Sequence, residues 1–155
     1  SPLLVADHLI ELTRGKTVFE VGTRNGDILS CVARFARTTY SAEIDPEYCR
    51  KLKGRGLNVY CSDFLTLNMS TLPQKPDVFF WWPMRADPQN EMWLSHVRSQ
   101  ASFVSSDCIV VIGFDHQWPP DVANRKEMLT KYLDAKDIRC RGRIVNSRDD
   151  HLRQR

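Results

Sequence analysis

The sequence predicts an α/β fold: a three-layer sandwich in which a mostly parallel sheet of about six strands carries helices on both faces, with residues 1–155 forming one domain. Three observations predict it. Strand-like and helix-like patterns alternate along the chain. An apolar strand, Val18-Phe19-Glu20-Val21, runs into the glycine-spaced turn Gly22-Thr23-Arg24-Asn25-Gly26-Asp27, and Ile28, Leu29, Val32, Phe35 and Ala36 follow at helical spacing. Finally, Cys108–Phe114 is a continuous apolar run, as expected of a parallel strand buried on both faces.

In chain order, a first helix is expected over about Leu3–Thr13, then strand Thr17–Val21, helix Asp27–Ala36 and strand Thr39–Ile44. Helix Pro46–Leu52 has Asp45 as its N-cap and Pro46 at its first position, and Gly54 and Gly56 stop it. Strands follow at Asn58–Cys61 and Asp77–Trp82. Asp87-Pro88 caps a helix with Met92, Trp93, Val97, Ala101 and Val104 on one face. After strand Cys108–Phe114 come a helix over about Asp121–Leu133, preceded by Pro119 and Pro120, and a last strand within Ile138–Val145.

The turn after the first strand is the most informative stretch. A strand–turn–helix junction leaves backbone N–H groups free at a helix N-terminus, a place to hold a nucleotide-like ligand. Glu43, twenty-one positions after Gly22, closes the next apolar run at the distance a ribose diol requires. A dinucleotide fingerprint would need glycine at the positions of Arg24 and Asp27, and Asp27 would set a carboxylate beside the phosphates. A nicotinamide-binding module is therefore disfavoured. The frame Glu20-x-Gly22-x-Arg24-x-Gly26 instead resembles motif I of the class I S-adenosylmethionine-dependent methyltransferases, acid-x-Gly-x-Gly-x-Gly. A carboxylate here suits a cofactor that carries a sulfonium and an ammonium group. Arg24 replaces the middle glycine, and the turn accommodates it if the side chain points to solvent or reaches the cofactor carboxylate.

Three further segments resemble the same Rossmann-like superfamily, in the right order over roughly residues 16–115. The resemblance implies that Glu20, Gly22, Thr23, Arg24, Asn25 and Gly26 surround the methionine part of S-adenosylmethionine. Within Ser41-Ala42-Glu43-Ile44, Glu43 would bind the ribose hydroxyls and Ile44 would lie against the adenine. Within Cys61-Ser62-Asp63-Phe64, Asp63 would accept from the adenine amino group, Phe64 would pack beside the ring, and Ser62 would sit at the same edge. The end of the fourth strand, Trp81-Trp82-Pro83, would face the transferable methyl group. Members that methylate exocyclic base nitrogens place Asn or Asp before Pro-Pro and an aromatic there; this chain has no side-chain amide or acid at that point. Such chemistry is therefore disfavoured. The tryptophans read either as an apolar wall or sulfonium cage, or as one core and one rim residue. The family closes its sheet with two further strands in an antiparallel hairpin, whereas one candidate is present here. A six-stranded sheet is expected, or a chain cut short after its sixth strand.

Composition is that of an ordinary globular domain, 42% apolar and 26% charged with a net charge of +3. No apolar run approaches the ~20 residues of a membrane span. Five cysteines, Cys31, Cys49, Cys61, Cys108 and Cys140, are spread without a Cys-x-x-Cys pair. That argues against a metal site or a disulfide framework and for a reducing, cytoplasmic location. Cys61 reads as buried filler.

Asp115 and His116, after the fifth strand, are the candidate base for the acceptor, with Trp82 as the wall of the acceptor site. Neighbours on an extended segment point opposite ways, so a solvated loop histidine is the competing reading. His8, His96 and His151 fit surface or core roles. Arg85 could clamp an acidic substrate, while Asp87 is more simply a helix cap. From Ile138 to Arg155 six arginines face two aspartates, and Arg139, Arg141 and Arg143 alternate along the last strand. They read either as an anion-binding stripe for nucleic acid or, preferably, as charge that protects an edge strand from aggregation. Two function classes follow. One is an enzyme that transfers a methyl group from S-adenosylmethionine to an oxygen or nitrogen nucleophile. The other is a non-catalytic module of the same fold that binds a partner protein or RNA.

Overall fold

The computed structural model of the chain describes residues 2–82, 87–113 and 141–144. Helix α1 (Pro2–Thr13) leads into β1 (Thr17–Val21), α2 (Asp27–Val32), β2 (Thr38–Ala42), α3 (Pro46–Gly54) and β3 (Val59–Tyr60). Two 3-10 turns, Phe64–Thr66 and Met69–Thr71, precede β4 (Val78–Trp81), α4 (Asp87–Ser99), β5 (Ile109–Ile112) and β6 (Arg141–Ile144). The six strands pair in the order β3-β2-β1-β4-β5-β6, and each described pairing is parallel. Strand order reverses between β1 and β4, so the crevice for a ligand opens at the carboxyl ends of these two strands.

Residues alternate between two cores, as the period of a strand demands. Phe19, Val21, Tyr40, Ala42, Phe79, Trp81, Val110 and Ile112 pack with Phe64, Met69, Trp93, Leu94 and Val97 on one face. Val18, Val78, Phe80 and Val111 pack with Val5, Leu9 and Val32 on the other. All five residues of β1 are buried, because helices cover both faces of this central strand.

Most element expectations hold within a residue or two. Asp45 caps α3 as expected, its Oδ1 accepting from Glu47 N at 2.8 Å and Tyr48 N at 3.2 Å. Helix α2 ends at Val32 rather than Ala36, because Arg34 and Phe35 donate to carbonyls three residues back and tighten the last turn. Strand β3 has two residues rather than four.

The cysteine reading requires correction. Cys49 of α3 and Cys61, just past β3, form a disulfide with their Cα atoms 5.7 Å apart. Cys61 is exposed rather than buried filler, while Cys49 is buried with Leu52 and Val59. Linear spacing concealed the pair because the packing of α3 against β3, not a local motif, brings the sulfurs together. Cys31 and Cys108 remain thiols.

The helix expected at Asp121–Leu133 lies outside the described residues. Among the described residues, no helix is long and apolar enough to cross a membrane.

Candidate cofactor site

The turn after β1 is built from left-handed backbone. Gly22, Arg24 and Gly26 have φ of 72°, 51° and 74°. A Cβ at Gly26 would run into Leu52 Cδ2 of α3, so this position is glycine for both backbone and space. At Gly22 nothing would meet a Cβ, and only the φ calls for glycine. Arg24 is the one described non-glycine residue at positive φ, which costs about 1 kcal/mol. Its side chain is exposed, as the turn requires of a long residue there. Gly26 then serves as the N-cap of α2.

Glu43 holds this turn. Its Oε2 accepts from Arg24 N at 2.7 Å and its Oε1 from Asp45 N at 2.9 Å. One buried carboxylate thus ties the β1–α2 turn to the start of α3. Each oxygen keeps a further lone pair. Glu20 lies beneath the same turn, on the α1 and α2 side of the sheet. Burial pushes its carboxyl up to about 8, opposed by the Thr23 hydroxyl and reinforced by the nearby charges of Glu43 and Asp27. It therefore carries a proton at neutral pH. Among the described residues, Glu20 Oε2 and Thr23 Oγ1 have no hydrogen bond of ordinary geometry. Asn25 is exposed, and its carbonyl accepts from the Arg55 guanidinium.

A cavity of about 490 Å³ opens at the carboxyl ends of β1, β2 and β3, within the size range of small-molecule cofactor sites. Five residues singled out from the sequence line it: Gly22, Ile44, Ser62, Asp63 and Phe64. Asp63 Oδ1 accepts from Leu65 N at 3.0 Å, which fixes the carboxyl group at the head of the 3-10 turn. Ile44 is 71% exposed and Met92 52% exposed, although both are large apolar residues on the cavity wall. Phe64 is buried, with Trp93 edge-on to it at 6.3 Å between ring centroids. Val21, Ala42, Leu65, Gln89, Met92 and Trp93 complete the lining. Sequence reading did not assign these six to the site. Met92 and Trp93 were legible as an apolar helix face, but the signal for core and for cavity wall is the same. Gln89 carried no signal at all, and its buried Oε1 has no partner among the described residues.

No family model matches the sequence, and no curated protein matches it. Solved structures do. The plantazolicin methyltransferase BpumL, solved with a pentazolic desmethylPZN analog and S-adenosylhomocysteine, aligns at a TM-score of 0.65 and 11% identity, over 88% of this chain and 65% of that one. An RNA methyltransferase from Salinibacter ruber, in complex with S-adenosylhomocysteine, aligns at 0.59 and 21% identity, over 78% and 82%. The sugar N-methyltransferase KedS8 from Streptoalloteichus aligns at 0.56 and 17% identity over 78% of this chain, which spans 49% of that protein's length. The fold is that of the class I S-adenosylmethionine-dependent methyltransferases.

Within the class I methyltransferase fold, the remaining candidates divide sharply. Trp81 is fully buried in the core, edge-on to Trp93, with its Nε1 donating to Asn90 Oδ1 at 2.9 Å. Trp82 is at the rim, 36% exposed. The reading of one core and one rim tryptophan therefore describes the pair, and Trp81 does not line the cavity. The Trp82 ring lies over Gly113 after β5, where a Cβ would stand 2.6 Å from Trp82 Cε3. Arg85, Asp115, His116, Arg139 and His151 lie outside the described residues. Arg141 and Arg143 occupy alternate positions of β6, paired with Ile109 and Val111 at the described edge of the sheet.

Proposed function

We propose that the chain binds S-adenosylmethionine in this cavity and transfers its methyl group to an oxygen or nitrogen nucleophile. One observation carries the reading: Ile44 and Met92, two large apolar side chains, stand exposed on the wall of a cavity whose rim also holds Asp63. Exposed apolar groups gathered at a concave site are what a planar aromatic ligand covers. Asp63 accepts the adenine amino group, Ile44 and Met92 cover the ring, and Glu43 uses its remaining lone pairs for the ribose hydroxyls. The left-handed turn at Gly22–Gly26 lets the backbone approach the methionine part. In-line displacement on the sulfonium then relies on proximity and exclusion of water. Trp82 forms the acceptor wall, and Asp115 and His116 supply the base.

The test is binding of S-adenosylhomocysteine to Ile44→Asp and Asp63→Ala. Each is expected to weaken binding by roughly ten- to a hundredfold, the loss of about 1.5–3 kcal/mol, with the far-ultraviolet circular dichroism spectrum unchanged. Unaltered affinity in both variants would remove the cavity as the cofactor site.

RNA methyltransferases share the fold, and the arginine alternation of β6 would give a nucleic-acid acceptor a cationic edge. Edge protection accounts for the same residues. Replacing Arg139, Arg141 and Arg143 with Ser decides between them: a flattened salt dependence of RNA binding supports the first, and loss of solubility alone supports the second. A cytoplasmic location belongs to the same proposal: the thiols Cys31 and Cys108 fit it, and the Cys49–Cys61 disulfide fits it as a transient bond.

A further inference from the structure

We infer that the Cys49–Cys61 disulfide is a redox device that sets the stiffness of the cavity wall and, through it, the affinity of the cavity for its ligand. The affinity part rests on the cofactor reading above. Ser62, Asp63, Phe64 and Leu65 form one wall of the cavity, and Cys61 is the residue immediately before them. The support on that side is a short strand. Strand β3 has two residues at the described edge of the sheet; Asn58 O and Tyr60 O accept from Ser41 N and Glu43 N, both 3.0 Å, and Asn58 Nδ2 donates to Thr39 O at 3.1 Å. Beyond the wall, Phe64 is anchored in the core against Phe19 and Phe79. Between Tyr60 and Phe64, the disulfide to α3 is the covalent tether. The same helix is capped by Asp45, whose N–H is held by Glu43 and whose neighbour Ile44 lines the cavity. The bond thus joins the β3 wall to the helix that follows the β2 wall.

The chemistry is reachable from solvent. Cys61 is exposed, and its partner Cys49 is 1% exposed. A thiolate of a dithiol reductant attacks the Cys61 sulfur and displaces the Cys49 sulfur, which takes up a proton. The second thiol of the reductant then attacks the mixed disulfide and releases Cys61 as a thiol. Two electrons pass to the protein, and the reductant leaves as its own disulfide. In the reduced state, Cys61 and Ser62 lose their covalent link to α3, and the turn in which Asp63 Oδ1 holds Leu65 N is free to shift as a unit against the Ile44 side of the cavity. In a reducing compartment, a surface disulfide of this kind is of the transient, sensing type.

The experiment measures the whole chain oxidised, treated with dithiothreitol, and reoxidised. Thiol titration must first show the gain that opening one disulfide gives. Hydrogen exchange at the Ser62–Leu65 amides is then expected to speed up by roughly tenfold or more on reduction, and to recover on reoxidation. S-adenosylhomocysteine affinity is expected to fall by roughly three- to tenfold. A Cys49→Ala/Cys61→Ala variant should match the reduced protein and ignore dithiothreitol. Unchanged exchange with the disulfide opened would overturn the inference, and so would faster exchange with unchanged affinity. If neither state binds S-adenosylhomocysteine, the cofactor reading fails, and the exchange rates alone still decide whether the disulfide stiffens the wall.

Discussion

Arg24, Glu20 and Glu43 show how single residues set this site. Arg24 sits where glycine would be free of strain. Arg24→Gly is therefore expected to raise stability by about 1 kcal/mol, read as a higher urea midpoint. It should not tighten S-adenosylhomocysteine binding, because the side chain already points to solvent; tighter binding would mean that it crowds the cavity. Glu20 gives a pH signature. Its carboxyl titrates near 8 in the folded chain against 4.5 in the unfolded one. Between those values the folded state binds more protons than the unfolded state, so stability present below about pH 4.5 is lost as pH rises toward about 8. The slope from this group approaches roughly 1.4 kcal/mol per pH unit. Glu20→Gln should flatten the fall in urea midpoint between pH 6 and pH 9, and a parallel shift with the slope intact would refute the assignment. Glu43→Gln removes one of two acceptors for backbone N–H groups. It is expected to cost about 1–3 kcal/mol of stability, besides any loss of the ribose contact proposed above. The sequence marked Glu43 through its distance from Gly22. Its second role, bracing Arg24 and Asp45, depends on two loops meeting in space and left no trace in the linear spacing.

Between elements, the close approach of the Gly26 turn to Leu52 of α3 makes a sharper demand than the turn alone. Gly26→Ala combines positive φ with overlap against Leu52, whereas Gly22→Ala meets only the backbone strain. The first should cost more than about 2 kcal/mol and the second about 1 kcal/mol in urea denaturation. Equal costs would show that α3 yields. Strands β1, β2, β4 and β5 were legible because apolar runs between turn residues admit little else in a doubly covered sheet. Helix α2 was read too long because Ala36, beyond its last turn, packs against the same core and so keeps the helical pattern going. Strand β3 was also read too long, since its last expected residue, Cys61, leaves the strand to pair with Cys49. In α4, Met92 and Trp93 obey helical period whether they fill core or line a cavity, so their place in the site emerged only from the packing of α4 over β4 and the Phe64 turn.

For the molecule as a whole, the parallel order β3-β2-β1-β4-β5-β6 places Gly22, Ile44, Ser62, Asp63 and Phe64 together at the carboxyl edge of the sheet. The cavity half of that edge, from Gly22 to Leu65, lies within the described residues. At the β4 and β5 end the Trp82 ring lies over Gly113, and the acceptor chemistry proposed there is the part the sequence named least specifically. The sequence there carries no motif that specifies an acceptor, and three of the solved structures that share the fold are a plantazolicin methyltransferase, an RNA methyltransferase and a sugar N-methyltransferase. The central claim is a cofactor claim, and titration calorimetry of the oxidised chain with S-adenosylhomocysteine tests it most directly. An apolar cavity of about 490 Å³ with Asp63 at its rim predicts saturable one-to-one binding with a Kd of roughly micromolar order, about −8 kcal/mol. No heat of binding at millimolar S-adenosylhomocysteine would contradict it and leave a methyltransferase fold put to another use.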